Sequence, residues 1–270
     1  MNHTVTLNNG VKMPLLGLGS FASVKDEAVT AIHAAADSGY RMFDTAQMYG
    51  NEAEIGEALK DSGLSRDEIF ITSKVFDISR SYALTKEAVD VSLKNLQTDY
   101  LDLMLIHMPY EESLEMYQAL EDAYQEGKIR AIGVANFTAA RYLEFIRQVR
   151  IIPAINQFET HVFKQNGALQ KVMEEHGTCL SAWSPLAKGR NGVFQLPVLT
   201  EIAEKHKKTT AQIMLRNLVQ RGIPVIPKSV NPERIAANAA LFDFALDDQD
   251  MARIAALDRD ETILEWTKNL

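Results

Sequence analysis

Cysteine is almost missing from this chain. Cys179 is the single one among 270 residues, so no disulfide can form within it, and a reducing, cytoplasmic setting is expected. No apolar run approaches the roughly 20 residues that a bilayer-spanning helix needs. The opening Met1-Asn2-His3-Thr4 is polar and lacks a basic flank followed by an apolar block, so no secretory signal is expected. Basic charge is short as well. Its 28 Lys and Arg face 36 Asp and Glu, a net charge of −8, which argues against a general nucleic-acid binder because phosphate contacts need a basic surface. One small anion held by a few local cations is still compatible with that charge. Low-complexity runs, charge blocks and linkers are absent, so residues 1–270 are expected to form a single domain. With 46% hydrophobic and 24% charged residues, the composition is that of a globular chain with a packed core.

What is present is alternation. Short apolar runs recur at Leu15–Leu18, Arg41–Phe43, Ile69–Thr72, Leu101–Ile106, Ile129–Val134, Ala154–Gln157, Cys179–Trp183 and Pro224–Pro227. Unbroken apolar strands of this kind predict a parallel sheet covered by helices. Between them lie helical patterns. Val24 to Ser38 carries Val24, Ala28, Ile32 and Ala35 and stops at Gly39. Ser81 to Leu96 repeats Leu84, Ala88, Val91 and Leu96 on one side, and Ser113 to Gln125 stops at Gly127. Eight such units over about 210 residues favour a closed (β/α)₈ TIM barrel. Thr4–Leu7, Asn8-Asn9-Gly10 and Val11–Met13 read as an N-terminal β-hairpin that plugs the lower end, and Asp247–Leu257 as an extra C-terminal helix. The competing open doubly wound sheet usually carries three glycines after its first strand. Gly17-Leu18-Gly19-Ser20-Phe21-Ala22 has only the first two.

In such barrels the chemistry sits at the C-terminal ends of the strands. Those ends here deliver Asp44 with Tyr49 close behind, Lys74, His107, Asn136, Asn156 and Gln157, Trp183 and Ser184, and Lys228 and Ser229. A lysine cation favours tyrosinate and lowers a phenol pKa that is ordinarily near 10. An aspartate would keep that lysine charged and in place. A histidine on the next strand could orient a substrate oxygen or share a proton. Together the four make a proton donor for a carbonyl about to accept a hydride. Each also has a plainer reading: Asp44 as a turn cap or a structural partner of Lys74, Tyr49 as a packing aromatic, His107 as a core histidine. Lys74 is harder to explain away, because a charge inside a barrel is costly unless used.

Phe43-Asp44-Thr45-Ala46 with Tyr49-Gly50-Asn51-Glu52, Ile71–Lys74, Leu105–Pro109, Ile132–Phe137, Asn156–Glu159 and Ile226–Ser229 resemble the signatures of the aldo-keto reductases, from Gly17 to about Asp258. The likeness is to the short bacterial branch that includes 2,5-diketogluconate reductases. It implies that Tyr49 is the general acid, tuned by Lys74 and Asp44, with His107 orienting the carbonyl. It implies NADP(H), with Trp183 under the nicotinamide ring, Asn156 and Gln157 on its carboxamide, and Asn136 close by. Ser184 and Leu186 would contact the dinucleotide further along. Lys228, Ser229, Arg234 and Asn238 would hold the adenosine 2′-phosphate end, and Asn231-Pro232 suits a helix start that attracts phosphate. Core packing of Trp183 and a solvated basic patch are the plainer alternatives.

The sequence departs from the family pattern at several places. Asn231 stands where an arginine is common, and Ala237 where a glutamate precedes Asn238, so NADPH is expected over NADH with some discrimination lost. Phe21 and Met108 replace tryptophans and Ala135 a serine. A flexible methionine predicts an open pocket for small aldehydes, ketones, diketones or sugar-derived carbonyls, lined by Phe21, Met108, His107 and Tyr49. The sequence ends at Trp266–Leu270, so the long pocket-narrowing loop of larger relatives is not expected. A monomer is expected. A cofactor-binding regulatory subunit of the same fold is the alternative. A metal-dependent hydrolase is disfavoured, since of His3, His33, His107, His161, His176 and His206 only His107 and His161 fall near the mouth, and no metal is expected.

Overall fold

Each central strand has one face toward a barrel interior and one toward a coat of helices. This arrangement is described for residues 3–23 and 25–264 of a computed structural model. Val24 and the segment Trp266–Leu270 lie outside the described residues. An antiparallel hairpin, β1 (Thr4–Thr6) and β2 (Lys12–Pro14), comes first, and its turn uses Gly10 at φ +85°. Seven parallel strands follow in sheet order: β3 (Leu18–Gly19), β4 (Met42–Asp44), β5 (Phe70–Val75), β6 (Leu103–Ile106), β7 (Ile132–Ala135), β8 (Ile155–Glu159) and β9 (Cys179–Trp183). The eighth run bridges both edges and closes the barrel. Val225 pairs with Leu16 on one side and Ala182 on the other, and Lys228 pairs with Gly19. It does not form a full ladder, because Pro224 and Pro227 have no N–H to donate.

Side chains alternate along each strand. Met42, Phe70, Leu103, Leu105, Ala131 and Ile155 fill the interior, whereas Phe43, Ile71, Met104, Ile106, Ile132 and Val134 face the helices. Leu7 and Met13 of the hairpin join the interior set, 3% and 1% exposed, and plug its N-terminal end as predicted. Asn8 Nδ2 donates to Ile152 O at 3.2 Å and Asn9 Nδ2 to Arg130 O at 2.8 Å, which tie the plug to the barrel floor.

The coat contains α1 (Lys25–Asp37), α2 (Glu52–Asp61), α3 (Tyr82–Asn95), α4 (Ser113–Gln125), α5 (Ala139–Phe145), α6 (Gly167–Glu174), α7 (Pro197–His206), α8 (Thr210–Gln220) and α9 (Pro232–Ala239). A further helix, α10 (Asp248–Ala255), starts at an Asp247 capping box. Two helices, not one, separate β9 from the closing strand. Lys207 ends α7 in the left-handed region, and Thr209 with Gln212 forms the capping box that starts α8. The predicted face of α3 is also corrected. Leu84 and Val91 are 46% and 44% exposed, and the buried stripe is Thr85, Ala88, Val89 and Ser92. Small residues serve there because α3 lies close to its neighbours: a Cβ on Gly56 of α2 would meet Asn95 O at 2.6 Å.

Candidate active site

Inward positions near the C-terminal ends of the strands form one polar layer above the apolar filling. Asp44 closes β4, Lys74 stands near the end of β5, His107 follows β6, Gln157 lies in β8 and Trp183 ends β9. Lys74 is 1% exposed and Asp44 3%. The ammonium donates to Asp44 Oδ1 at 2.5 Å and to Thr45 O at 2.9 Å. Gln157 Nε2 donates to the other carboxylate oxygen of Asp44 at 2.9 Å, a support that the sequence does not reveal. An ammonium has three donors. Two are spent here, and Lys74 Nζ lies 5.4 Å from the Tyr49 ring centroid, close enough for its charge to pull the phenol pKa down.

Tyr49 arrives from a single 3₁₀ turn, Gln47–Tyr49, which Gly50 ends at φ +63°. The turn is pinned on both flanks. Gln47 Nε2 donates to Ala88 O at 2.8 Å and its Oε1 accepts from Phe76 N at 3.1 Å. Asn51, 3% exposed, accepts from Thr45 Oγ1 at 2.8 Å and donates to Ser20 O at 3.0 Å. The Tyr49 ring meets His107 edge-on at 5.9 Å and Phe21 at 5.1 Å.

The electrostatics correct one expectation. Burial pushes the Tyr49 phenol above its ordinary pKa, Lys74 pulls it down, Asp44 opposes that pull, and the net direction is up. The group therefore stays protonated through the neutral range, as a proton donor must. Burial disfavours the Lys74 cation, but Asp44 and Tyr49 outweigh it and leave its pKa raised. His107 is pushed down to about 3, first by burial and then by the Lys74 charge. It is a neutral imidazole whose Nδ1 has no hydrogen-bond partner among the described residues.

These groups open on a cleft of about 990 Å³. Tyr49, His107, Phe21 and Met108 line it together with Trp183, Ser184, Leu186, Lys228, Ser229, Arg234 and Asn238. Lys228 and Arg234 are exposed and make no ion pair among the described residues. The helix start is as predicted, since Asn231 caps α9 by accepting from Arg234 N at 2.9 Å and Pro232 is its first residue. Asn136, at φ +67°, lines the cleft but spends its amide internally. It accepts from Trp183 Nε1 at 2.9 Å and donates to His107 O at 3.0 Å.

Asn156 is not brought to the cleft. Strand parity decides this: Gln157 pairs in register with Ala135 and Ser181 on the inner face, while Asn156 pairs with Val134 and Leu180 on the helix side. Its amide donates to Phe137 O at 2.7 Å, and the residue is fully buried. Cleft residues that the sequence does not announce include Phe76, Tyr110, Lys188, Phe194 and Leu264. They come from irregular segments that carry no periodic signal. His161 is buried against Glu159, outside the cleft lining. No group of three or more His, Cys, Asp or Glu that could hold a metal is found among the described residues, and no helix there is long and apolar enough to cross a membrane.

Comparison with known proteins bears on the family and the fold. Residues 15–259 match the model of the aldo/keto reductase family. The glyoxal reductase of Bacillus subtilis (strain 168) is 44% identical over 265 residues, 97% of this chain and 95% of that one. The solved structure of MGS-M4, an aldo-keto reductase from a Medee basin deep-sea metagenome library, superposes with a TM-score of 0.95 at 43% identity, covering 97% of each chain. The Bombyx mori aldo-keto reductase in complex with NADP gives 0.93 at 32% identity, covering 98% of this chain and 95% of that one. A parallel barrel with a hairpin plug, a buried lysine–aspartate pair behind a tyrosine at its mouth, and sequence agreement over nearly the whole length lead to one conclusion: this chain belongs to the aldo/keto reductase family of oxidoreductases.

Proposed function

We propose that this protein reduces small aldehydes, ketones and dicarbonyls to alcohols, with NADP(H) as its redox partner and Tyr49 as the proton donor. The observation that carries the reading is the Tyr49–Lys74–Asp44 arrangement, with His107 beside it, on a cleft of about 990 Å³. The donor set suits a dinucleotide phosphate. Lys228 and Arg234, which make no ion pair among the described residues, stand by the start of α9, where the helix dipole favours a phosphate. Trp183, steadied through its N–H by Asn136, offers a flat face to a nicotinamide. Ser184 and Leu186 would line the path between nicotinamide and phosphate. Gln157, rather than Asn156, is the amide within reach of a carboxamide. When bound, NADPH supplies the hydride that reduces the carbonyl carbon.

The chain's own groups handle the oxygen. Neutral His107 can donate one hydrogen bond to the carbonyl and so aims it at Tyr49. The Tyr49 hydroxyl gives up its proton as charge develops on that oxygen, and the phenolate left behind is stabilised by the third donor of Lys74. Asp44, held by Gln157, keeps Lys74 charged inside the barrel. Apolar walls from Phe21, Met108 and Phe194 keep water away from the reacting atoms. The Bacillus relative named for glyoxal supports a small dicarbonyl as a starting substrate. The deciding experiment follows NADPH consumption at about 340 nm, the absorption band of its reduced ring, with Tyr49→Phe beside the parent protein. Loss of a general acid lowers turnover by about 10²–10⁴, while quenching of tryptophan fluorescence by NADPH should persist. Full activity of Tyr49→Phe would overturn the reading.

A further inference from the structure

Glu159 ends β8 two residues beyond Gln157 and pairs in register with Trp183. It is 1% exposed. Its carboxylate accepts from three neighbours. Ile263 N donates to Oε1 at 2.8 Å, the Thr262 hydroxyl donates to Oε2, and His161 Nε2 lies 3.1 Å from Oε1. The histidine tautomer follows from its other nitrogen, because Nδ1 accepts from Phe163 N at 3.3 Å and Nε2 therefore carries the hydrogen. His161 thus donates as a neutral ring. Two of the three donors belong to a segment about 100 residues further along the chain.

That segment is held at other points too. Phe163 O accepts from both Arg259 N and Glu261 N at 3.0 Å, and Arg190 Nη1 donates to Ile263 O at 2.7 Å. Its next residue, Leu264, lines the cleft. We infer that Glu159 is a positioning residue for substrate recognition, whose carboxylate seats Thr262 and Ile263 so that Leu264 stands as a wall of the cleft. This rests on the carbonyl-reductase reading of that cleft. The group has no contact with the reacting atoms and acts through the segment it anchors. A carboxylate accepts from all three at once. A carboxamide can keep its oxygen on Ile263 N and His161 but must turn its NH₂ toward Thr262, which reverses that hydrogen bond and frees the hydroxyl from its present seat.

The test compares the parent protein, Glu159→Gln, Thr262→Val and Leu264→Ala, each confirmed as folded by circular dichroism. Turnover is measured with methylglyoxal as a small probe and phenylglyoxal as a bulky apolar one. For Glu159→Gln the KM for phenylglyoxal should rise about fivefold relative to that for methylglyoxal, with kcat changing less than about twofold for either. Leu264→Ala should reproduce the shift, and adding Glu159→Gln to it should bring little more, because both act through one wall. Amide exchange at Ile263 should quicken about tenfold in Glu159→Gln and in Thr262→Val. Thr262→Val keeps the test available if the buried substitution fails to fold. Equal losses of kcat for both probes, additive double-variant effects or unchanged exchange would overturn the inference. A parent protein that reduces neither probe sinks the functional reading, and with it the substrate role, while exchange at Ile263 still judges the anchoring separately.

Discussion

His107 combines its place beside Tyr49 with an unfavourable setting for charge. Its pKa of about 3, set mainly by burial and then by Lys74, lies below the unfolded value near 6.5. Between those values the unfolded chain binds a proton that the barrel refuses. Stability therefore rises with pH across this window and is lost as pH falls from 6.5 toward 3. Denaturant midpoints should carry a slope of up to about 1.4 kcal/mol per pH unit from this one group, and His107→Asn should remove it. Lys74 poses the opposite problem, since its charge is buried but answered by Asp44 at 2.5 Å. Lys74→Met leaves an uncompensated carboxylate and should cost about 3–5 kcal/mol in guanidinium unfolding. Adding Asp44→Asn should recover part of that loss. At this scale the sequence was informative where residue type is chemically singular, as with a lysine that closes an apolar strand. It could not rank burial against Coulomb attraction at Tyr49, because desolvation depends on what surrounds the ring.

Helix faces are set by what lies against them. In α3 the apolar residues Leu84 and Val91 face solvent, and Val89 is 1% exposed. Leu84→Gln should change stability by no more than about 0.5 kcal/mol, whereas Val89→Ala should cost about 2 kcal/mol through the cavity it leaves. A reversal would restore the sequence-predicted stripe. Gly56 shows the same competition. Alanine is the better helix former by about 1 kcal/mol, yet a Cβ there would lie 2.6 Å from Asn95 O and 2.7 Å from Leu96 Cα. Gly56→Ala should therefore destabilise by about 1–3 kcal/mol, read from the thermal midpoint, as the two helices move apart. Strand parity decided Asn156 and Gln157 in similar fashion. Adjacent residues must point to opposite faces, and only the register with β7 and β9 shows which of them faces inward.

The proposed function predicts that the two ends of the barrel divide stability from chemistry. Met13 sits in the plug at the N-terminal end, and Tyr49 at the opposite mouth. Met13→Ala should lower stability by about 2–5 kcal/mol while leaving carbonyl turnover at 25 °C close to the parent value. A loss of turnover in protein that is still folded would contradict this separation. The alternating runs, the helix stops at Gly39 and Gly127, the Asn-Gly hairpin and the strand-end order of Asp44, Lys74 and His107 were legible from the chain alone, because each rests on local backbone preference or on spacing. Tertiary structure alone decided the closure through Val225, the support of Asp44 by Gln157, and the cleft walls from Phe194 and Leu264. Those features join residues tens to hundreds of positions apart, and contacts over such distances exist only once the barrel has closed and the loops have packed above it.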